Sequence, residues 1–392
     1  MRKKEFWKGF GAAVLVFVLL IGGMEGLMRL PISLPFGMSD TAKVRWIERH
    51  LDTYYVEDYD KAFAEELMLA GLVAGVGDPY TYYLSKEDME QQLERNSGHF
   101  VGIGVDIYLG EDGYITIQSV TPGGPAEEAG ILAGDKIMEV DGQDISNMEA
   151  TETTDLIKGA AGTDVELTIF RERDGSVETY LVTRADIQVK TVQYRMLNGT
   201  MGYVSISNFR ENTYEQFQEA LKELKQQGMD RMVLDLRDNT GGLVASAHDI
   251  GEEILPEGTM VYTLDKEGNR QDLTCDQTYL AIPLVVLVNE NSASAAEILA
   301  GAIQDMGRGE LIGTTTFGKG LVQRLFTLPD GSGLNVTIQK YYTPNGTSIH
   351  GVGILPDYVV ELPEGYESVA QIPEEDDTQL QKAMAVLSEK TI

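Results

Sequence analysis

The sequence predicts a multidomain α/β protein with helical segments at both ends and a β-rich module between them. Three observations carry that prediction. In the C-terminal half, apolar strands at 201–206, 231–237, 284–288 and 310–313 alternate with helical stretches. Ahead of them, from about 100 to 187, short strand-like runs are separated by Asp-Gly turns. Outside both regions, apolar residues recur at helical spacing in 39–95 and again in 379–387. A chain of 392 residues with 43% hydrophobic content is long enough to build two or three cores.

Composition excludes some partners. The formal net charge is −31, and four basic residues (Arg2, Lys3, Lys4, Lys8) crowd into the first ten positions, so the rest of the chain is more acidic still. Such a surface repels phosphate backbones, which argues against nucleic acid as a partner. Cys275 is the single cysteine, so no internal disulfide forms, and it reads as a small apolar filler. His50, His99, His248 and His350 are scattered without metal-ligand spacing, so neither a metal nor a cofactor is expected.

At the amino end, the basic cluster precedes an apolar run from Phe10 to about Met24. That order predicts export with the amino terminus held in the cytoplasm. The run is short for a full span, yet no good small-x-small cleavage site follows it. The expectation is an uncleaved signal anchor over 1–30, which places the remainder outside the cytoplasm at the cell membrane. A cleaved signal peptide would instead leave a secreted protein.

Pro31 to Met38 is a Pro-rich connector, and 31–96 reads as a helical region. In it Val44, Ile47, Leu51 and the pair Tyr54 and Tyr55 form one apolar stripe that needs a partner surface. Phe100-Val-Gly-Ile-Gly-Val then opens the β-rich module, 97–187, with strands expected at 114–120, 136–140 and 164–170. Its stretch Pro122-Gly-Gly-Pro-Ala-Glu-Glu-Ala-Gly-Ile-Leu-Ala-Gly-Asp135 resembles the signature of a PDZ domain, a β-rich fold with two helices. The resemblance implies that Gly102, Ile103, Gly104 and Val105 form a carboxylate-binding loop, where glycines let backbone N–H groups approach an anion. A simple tight turn is the bland alternative. A dinucleotide fingerprint fails, because Ile107 stands where a third glycine is required.

The third region, 188–365, begins with the strand at Met201, followed by a helix opened by Thr213-x-x-Gln216 (a capping-box pattern) and closed by Gly228. The next strand runs into Asp238-Asn-Thr-Gly-Gly242, a turn lacking the Lys-Ser/Thr of a phosphate loop. Leu284 to Val288 is an unbroken apolar run, the mark of a strand buried on both faces. It leads through a polar turn to Ser294 and a small-residue helix. Ser294 thus stands at a helix N-terminus, where free N–H groups and the positive dipole end collect. A serine there can be a nucleophile whose neighbouring amides hold an oxyanion. Ser294-Ala-Ala-Glu297 also fits an ordinary capping box, and the local pattern leaves both readings open. Farther on, Lys319 lies between Gly318 and Gly320, with nothing bulky beside it, and Gln323 follows.

Together, Asn-Ser-Ala-Ser294-Ala-Ala-Glu and Phe-Gly-Lys319-Gly-Leu-Val-Gln323 resemble the serine–lysine core of the C-terminal processing peptidases. The likeness extends from about Ser39 to the end of the chain. It implies a PDZ domain placed before an α/β serine-protease core with a crotonase-like ββα layout, and a C-terminal helical tail, 366–392. It implies Ser294 as nucleophile, Lys319 as general base and Gln323 as the residue that orients the lysine amine. The oxyanion would lie on the amide of Ala295 and that of Gly241 or Gly242. Thr240 departs from the proline common in the family but leaves the glycines intact. Protein or peptide substrates held by their C-termini are the expected partners. In the family the N-terminal helical region joins protomers, giving a homodimer, or packs on the core.

The chemistry sets one demand. A lysine is a base only when neutral, and its reference pKa near 10.4 forbids that in water at neutral pH. Burial away from opposite charge lowers it. Two rival readings remain: a catalytically inactive, membrane-tethered PDZ scaffold, or a serine hydrolase that is not a protease. Against the first, both Ser294 and Lys319 are present. Against the second, GxSxG is absent and neither His248 nor His350 lies in a triad motif.

Overall fold

The computed structural model describes residues 39–390 apart from Glu111, Asn147, Gln277 and Glu367. The expected signal anchor and the Pro-rich connector lie outside the described residues. Among the described residues, no helix is long and apolar enough to cross a membrane.

The chain divides into two units, Met1–Glu65 and Glu66–Ile392. In the first, α1 (Asp40–Tyr54) starts at Ser39, whose hydroxyl accepts the Ala42 N–H at 3.3 Å. No residue of α1 is buried, and Ile47 and Leu51 of its apolar stripe are exposed. Asp52 accepts hydrogen bonds from Tyr59 and Lys61, which fixes the turn after the helix. Helix α2 (Lys61–Ala74) runs across the division.

The second unit corrects the helical expectation at once. Tyr82–Leu84 is a strand, β1, paired antiparallel with the later strand Gly333–Tyr342. Three residues are too few to show a period, and what holds them is tertiary pairing, which sequence spacing does not report. Helix α3 (Lys86–Ser97) follows, capped by Ser85 and ended by Gly98 at φ 74°.

The β-rich module comes next. Strand β2 (His99–Gly102) pairs with β9 (Ala185–Gln188), so the module enters and leaves side by side. Between them, β3 (Val105–Leu109), β4 (Ile115–Val120), β5 (Lys136–Val140), β7 (Asp164–Arg171) and β8 (Ser176–Thr183) form one antiparallel sheet in that order, with β6 (Gln143–Asp144) on β5. Helices α4 (Pro125–Glu128) and α5 (Ala150–Ile157) close over Ile103, Ile117, Ile137, Val165 and Leu167, all buried. The two helices and the edge position of β3 are what a PDZ domain requires.

The last region carries a six-stranded sheet in the order β10 (Val192–Met196), β11 (Met201–Ile206), β12 (Arg231–Asp235), β15 (Leu284–Val288), β16 (Glu310–Gly313), β19 (Tyr358–Val359). From β11 onward the pairs are parallel, so crossover helices cover the faces. Helices α6 (Thr213–Gln226), α7 (Val244–Ile254) and α8 (Ala295–Asp305) pack on the face made by Val204, Leu234, Val286 and Val288. The C-terminal α9 (Thr378–Glu389) packs on the other, where Val233, Val285 and Leu287 meet Leu380 and Leu387. Every residue of β15 is buried, as its unbroken apolar run predicts. At about 1.5–3 kcal/mol per large apolar side chain removed from water, this strand anchors the sheet. Beside it lies a second sheet, β1-β18-β13-β14 with β17 on β18, from β13 (Gly258–Asp265), β14 (Arg270–Cys275), β17 (Leu321–Thr327) and β18 (Gly333–Tyr342). This is the α/β core behind a PDZ-like module that the sequence led us to expect.

The predicted capping box at α6 does not form. Gln216 turns away from the helix start, and its side-chain oxygen accepts the Thr191 and Val192 N–H groups instead. Thr213 accepts the Arg210 N–H. The polar pair serves the entry to β10 rather than its own helix.

Candidate active site

The site lies where β15 meets α8. The strand ends at Val288, and Asn289 closes the turn: its side chain accepts the Asp238 N–H and donates to the Asp238 carboxylate. Ser292 accepts the Asn289 N–H and donates to the Leu236 carbonyl. These bonds tie the serine turn to the end of β12. Ser294 is then driven to φ 57°, ψ −117°, one of three non-glycine residues with positive φ among those described. Such a conformation is costly, and it persists because the surroundings over-determine it.

Glu297 is one of those surroundings. It is fully buried on α8, and its carboxylate accepts four hydrogen bonds. Oε2 takes the N–H of Ser294 at 2.9 Å and the N–H of Lys319 at 2.8 Å. Oε1 takes the Thr316 hydroxyl at 2.5 Å and the Gly318 N–H at 2.7 Å. The capping-box alternative is borne out, with both of its reciprocal contacts present. Glu297 reaches back to the Ser294 N–H, the serine side chain faces the Glu297 N–H more loosely, and the carboxylate also anchors the lysine segment. A second bridge comes from the other side, where the Tyr341 hydroxyl donates to both the Ser294 and the Lys319 carbonyl.

The glycines around Lys319 have a different purpose from the openness that the sequence suggests. A Cβ on Gly318 would lie 2.8 Å from the Gly353 nitrogen, and one on Gly320 would lie 2.7 Å from the His350 nitrogen. Both glycines let the lysine strand press against the 349–353 loop, and Gly318 also needs its φ of 88°. The predicted cleft-lining role of 342–357 fits this packing, since the Ile354 N–H donates to Thr316.

The Lys319 amine is half-buried. Desolvation holds its pKa below the ordinary lysine value, against the opposing pull of Asp78 and Glu297. Among the described residues no ion pair engages it. It lies over an aromatic face, with Nζ 4.5 Å from the centre of the Tyr80 ring. The backbone anchors bring Lys319 beside Ser294, but no hydrogen bond joins the two side chains among the described residues. Gln323 is likewise apart: its amide donates to the Thr337 hydroxyl at 3.3 Å, and no hydrogen bond reaches Lys319.

Of the oxyanion candidates, Gly241 is spoken for. Its N–H donates to the Asn239 side chain at 2.8 Å, while its Cα presses on the serine, so that a Cβ there would lie 2.8 Å from Ser294 Cβ. The N–H groups of Gly242 and Ala295 have no hydrogen-bond acceptor among the described residues. In the β-rich module, Gly104 takes φ 81° and its carbonyl accepts the Thr121 N–H, while Ile103 is buried and its carbonyl accepts the Ala126 N–H. A groove of about 350 Å³ borders β3 and α5 at Ile107, Thr151 and Thr154, and Glu87, Glu94 and Arg95 of α3 form its outer wall.

Sequence reasoning missed Glu297 as an anchor, and it missed Tyr80, Asp78 and Tyr341 altogether. Glu297 did leave a signal, as the one charged residue in the first two turns of an otherwise small and apolar helix that ends at Asp305. Tyr80 lies far away in sequence and left none.

Residues 200–360 match the sequence profile of peptidase family S41, and residues 90–170 match that of the PDZ domain. A carboxyl-terminal-processing protease of Synechocystis is 38% identical over 323 residues, covering 81% of this chain and 75% of that protein. One from Picosynechococcus is 40% identical over 324 residues, covering 81% and 78%. The solved structure of a Bacteroides fragilis chain described as an S41 protease superposes with a TM-score of 0.50 at 20% identity, covering 93% of this chain and all of that one, a likeness of fold.

Proposed function

This chain belongs to peptidase family S41, and from that premise we propose a membrane-anchored, extracytoplasmic endopeptidase that works through Ser294 and Lys319. It is a serine-type C-terminal processing peptidase with a PDZ domain. The finer assignments are ours. Ser294 attacks the peptide carbonyl, Lys319 removes its proton, and the oxyanion rests on the N–H groups of Gly242 and Ala295. Gln323 orients the amine once Lys319 has left the Tyr80 ring. The observation that carries this reading is the shared anchor: Ser294 and Lys319 hang from one oxygen of Glu297, and the lysine amine is desolvated without a salt bridge.

In the described arrangement the amine rests on Tyr80, which favours the ammonium form. Substrate binding must therefore draw the amine to the serine. The PDZ groove supports a role in that step, because β3 is a sheet edge open to a peptide strand and Gly102 to Val105 supply a turn of backbone N–H groups. The wall from α3, with Glu87, Glu94 and Arg95, would flank a bound peptide. Anchoring rests on the basic cluster and apolar run of the first 24 residues.

One comparison tests the catalytic reading: peptide and ester hydrolysis by the native chain, by Ser294→Ala and by Lys319→Ala. Loss of both activities in both variants is expected, since base catalysis contributes about 100-fold or more. Peptide hydrolysis surviving in either variant would remove that residue from its role. Amidating the substrate's C-terminus should weaken binding, and equal rates for amide and free acid would end the PDZ assignment.

A further inference from the structure

We propose that His248, Glu252 and Cys275 bind one divalent cation of the zinc class on the flank of the protease core. Sequence spacing does not reveal it, because His248 and Glu252 are far from Cys275 along the chain. The fold brings them together. His248 and Glu252 are i and i+4 on α7, so both project from one side of the helix. Cys275 is the last residue of β14 and points at the same place. One ligand atom from each of the three lies within 4.8 Å of the others.

The donor set decides the metal. An imidazole nitrogen, a carboxylate oxygen and a thiol sulfur suit a borderline-soft ion, and they disfavour magnesium or calcium, which demand oxygen throughout. Tetrahedral ligands at about 2.0–2.3 Å from zinc stand roughly 3.5 Å apart. The three atoms therefore need to close by only about 1 Å. His248 and Glu252 keep 20% and 17% of their side-chain surface exposed, which leaves a route for an ion to enter. Binding displaces existing contacts, of which Glu252 holds several. His248 Nε2 lies 2.9 Å from the Thr274 carbonyl and 3.4 Å from Glu252, and the Asp276 N–H donates to Glu252 at 3.0 Å. Binding would release the thiol proton to solvent as the sulfur becomes a thiolate.

None of the three residues belongs to the proposed catalytic set. The site clamps α7 to β14, and α7 begins directly after the Gly241-Gly242 turn. A cation there stabilises the folded core and holds the helix that follows the glycine loop.

The test uses the full-length chain, stripped with chelator and titrated with Zn²⁺ by calorimetry. One equivalent should bind at least about tenfold more tightly than to Cys275→Ser or His248→Ala. Co²⁺ in place of Zn²⁺ should give a thiolate-to-metal charge-transfer band that Cys275→Ser lacks. Circular dichroism reports folding. Should Cys275→Ser misfold, His248→Ala, altered at a partly exposed position, decides the matter. Equal affinity in native and variant chains, meaning binding to the acidic surface only, would overturn the proposal. So would the absence of the thiolate band.

Discussion

Ser294 and Lys319 donate their backbone N–H groups to the same carboxylate oxygen, Oε2 of Glu297, at 2.9 and 2.8 Å. Their separation is thus set by a third residue and not by their own side chains. Glu297→Gln tests this. A glutamine offers one oxygen and one NH₂, so two of the four donors now face another donor. Each unpaired buried group costs about 1–3 kcal/mol. A displacement of about 1 Å at reacting groups costs about 100-fold in rate. We expect kcat to fall by about that factor, with a lower midpoint in urea unfolding. A native kcat in the folded variant would show that the shared anchor does not set the serine–lysine geometry.

With Lys319 as the proposed base, its amine should set the pH dependence of activity. Desolvation lowers its folded pKa, so the neutral, basic form appears below the ordinary lysine range. Activity should rise with pH through that folded value and then level off. The stability sign follows from the same shift. Below the folded pKa the amine is protonated in both states, and the folded protein bears the full cost of burying the charge. Between the folded and unfolded values the unfolded chain binds more protons, so stability rises with pH. Lys319→Met should therefore be inactive and more stable than native at neutral pH, with a gap that narrows as pH rises through the folded pKa. Thermal unfolding across a pH series measures it, and a constant gap would contradict the desolvated lysine.

Tyr80 acts on that amine in two opposed ways. Its ring face favours the ammonium ion by roughly 0.5–2 kcal/mol, and its bulk excludes the water that would favour the ion more. Burial is the largest influence on Lys319, so exclusion should win. Tyr80→Ala is expected to move the pH–rate inflection to higher pH, while Tyr80→Phe keeps the ring and leaves it in place. If both variants match the native profile, Tyr80 is a bystander.

Much of this arrangement was legible in the sequence, and the unread part has a common cause. Strand β15 and helix α8 announced themselves because continuous apolar runs and small-residue helices are local patterns. Ser294 and Lys319 were found through motif resemblance, although nothing local reveals a positive φ at a serine. What stayed hidden depends on contacts between distant segments. Strand β1 forms because β18 lies beside it, and Gln216 leaves its helix cap to bond the strand entry. The glycines beside Lys319 looked like slack and prove to be close packing. The β13–β14 hairpin went unread too, and with it the encounter of Cys275 with α7.

The C-terminal helix offers a last test, because it holds the glycine turn from behind. Arg237 is 1% exposed and sits between Asp235 at 4% and Asp377 at 6%, with its guanidinium 2.6 and 2.9 Å from the two carboxylates. Asp377 also caps α9 by accepting the Leu380 N–H. The next residue after Arg237 is Asp238, at φ 58°, which opens the turn carrying Gly241 and Gly242. Breaking a buried pair by removing one partner costs about 3–5 kcal/mol. Asp377→Ala should fall near the lower end of that range, because Asp235 still neutralises the arginine. Chemical denaturation measures the loss. If the turn depends on this clamp, kcat should fall in Asp377→Ala even under conditions where the variant is fully folded. A stability loss with unchanged kcat would confine the clamp to holding α9 in place.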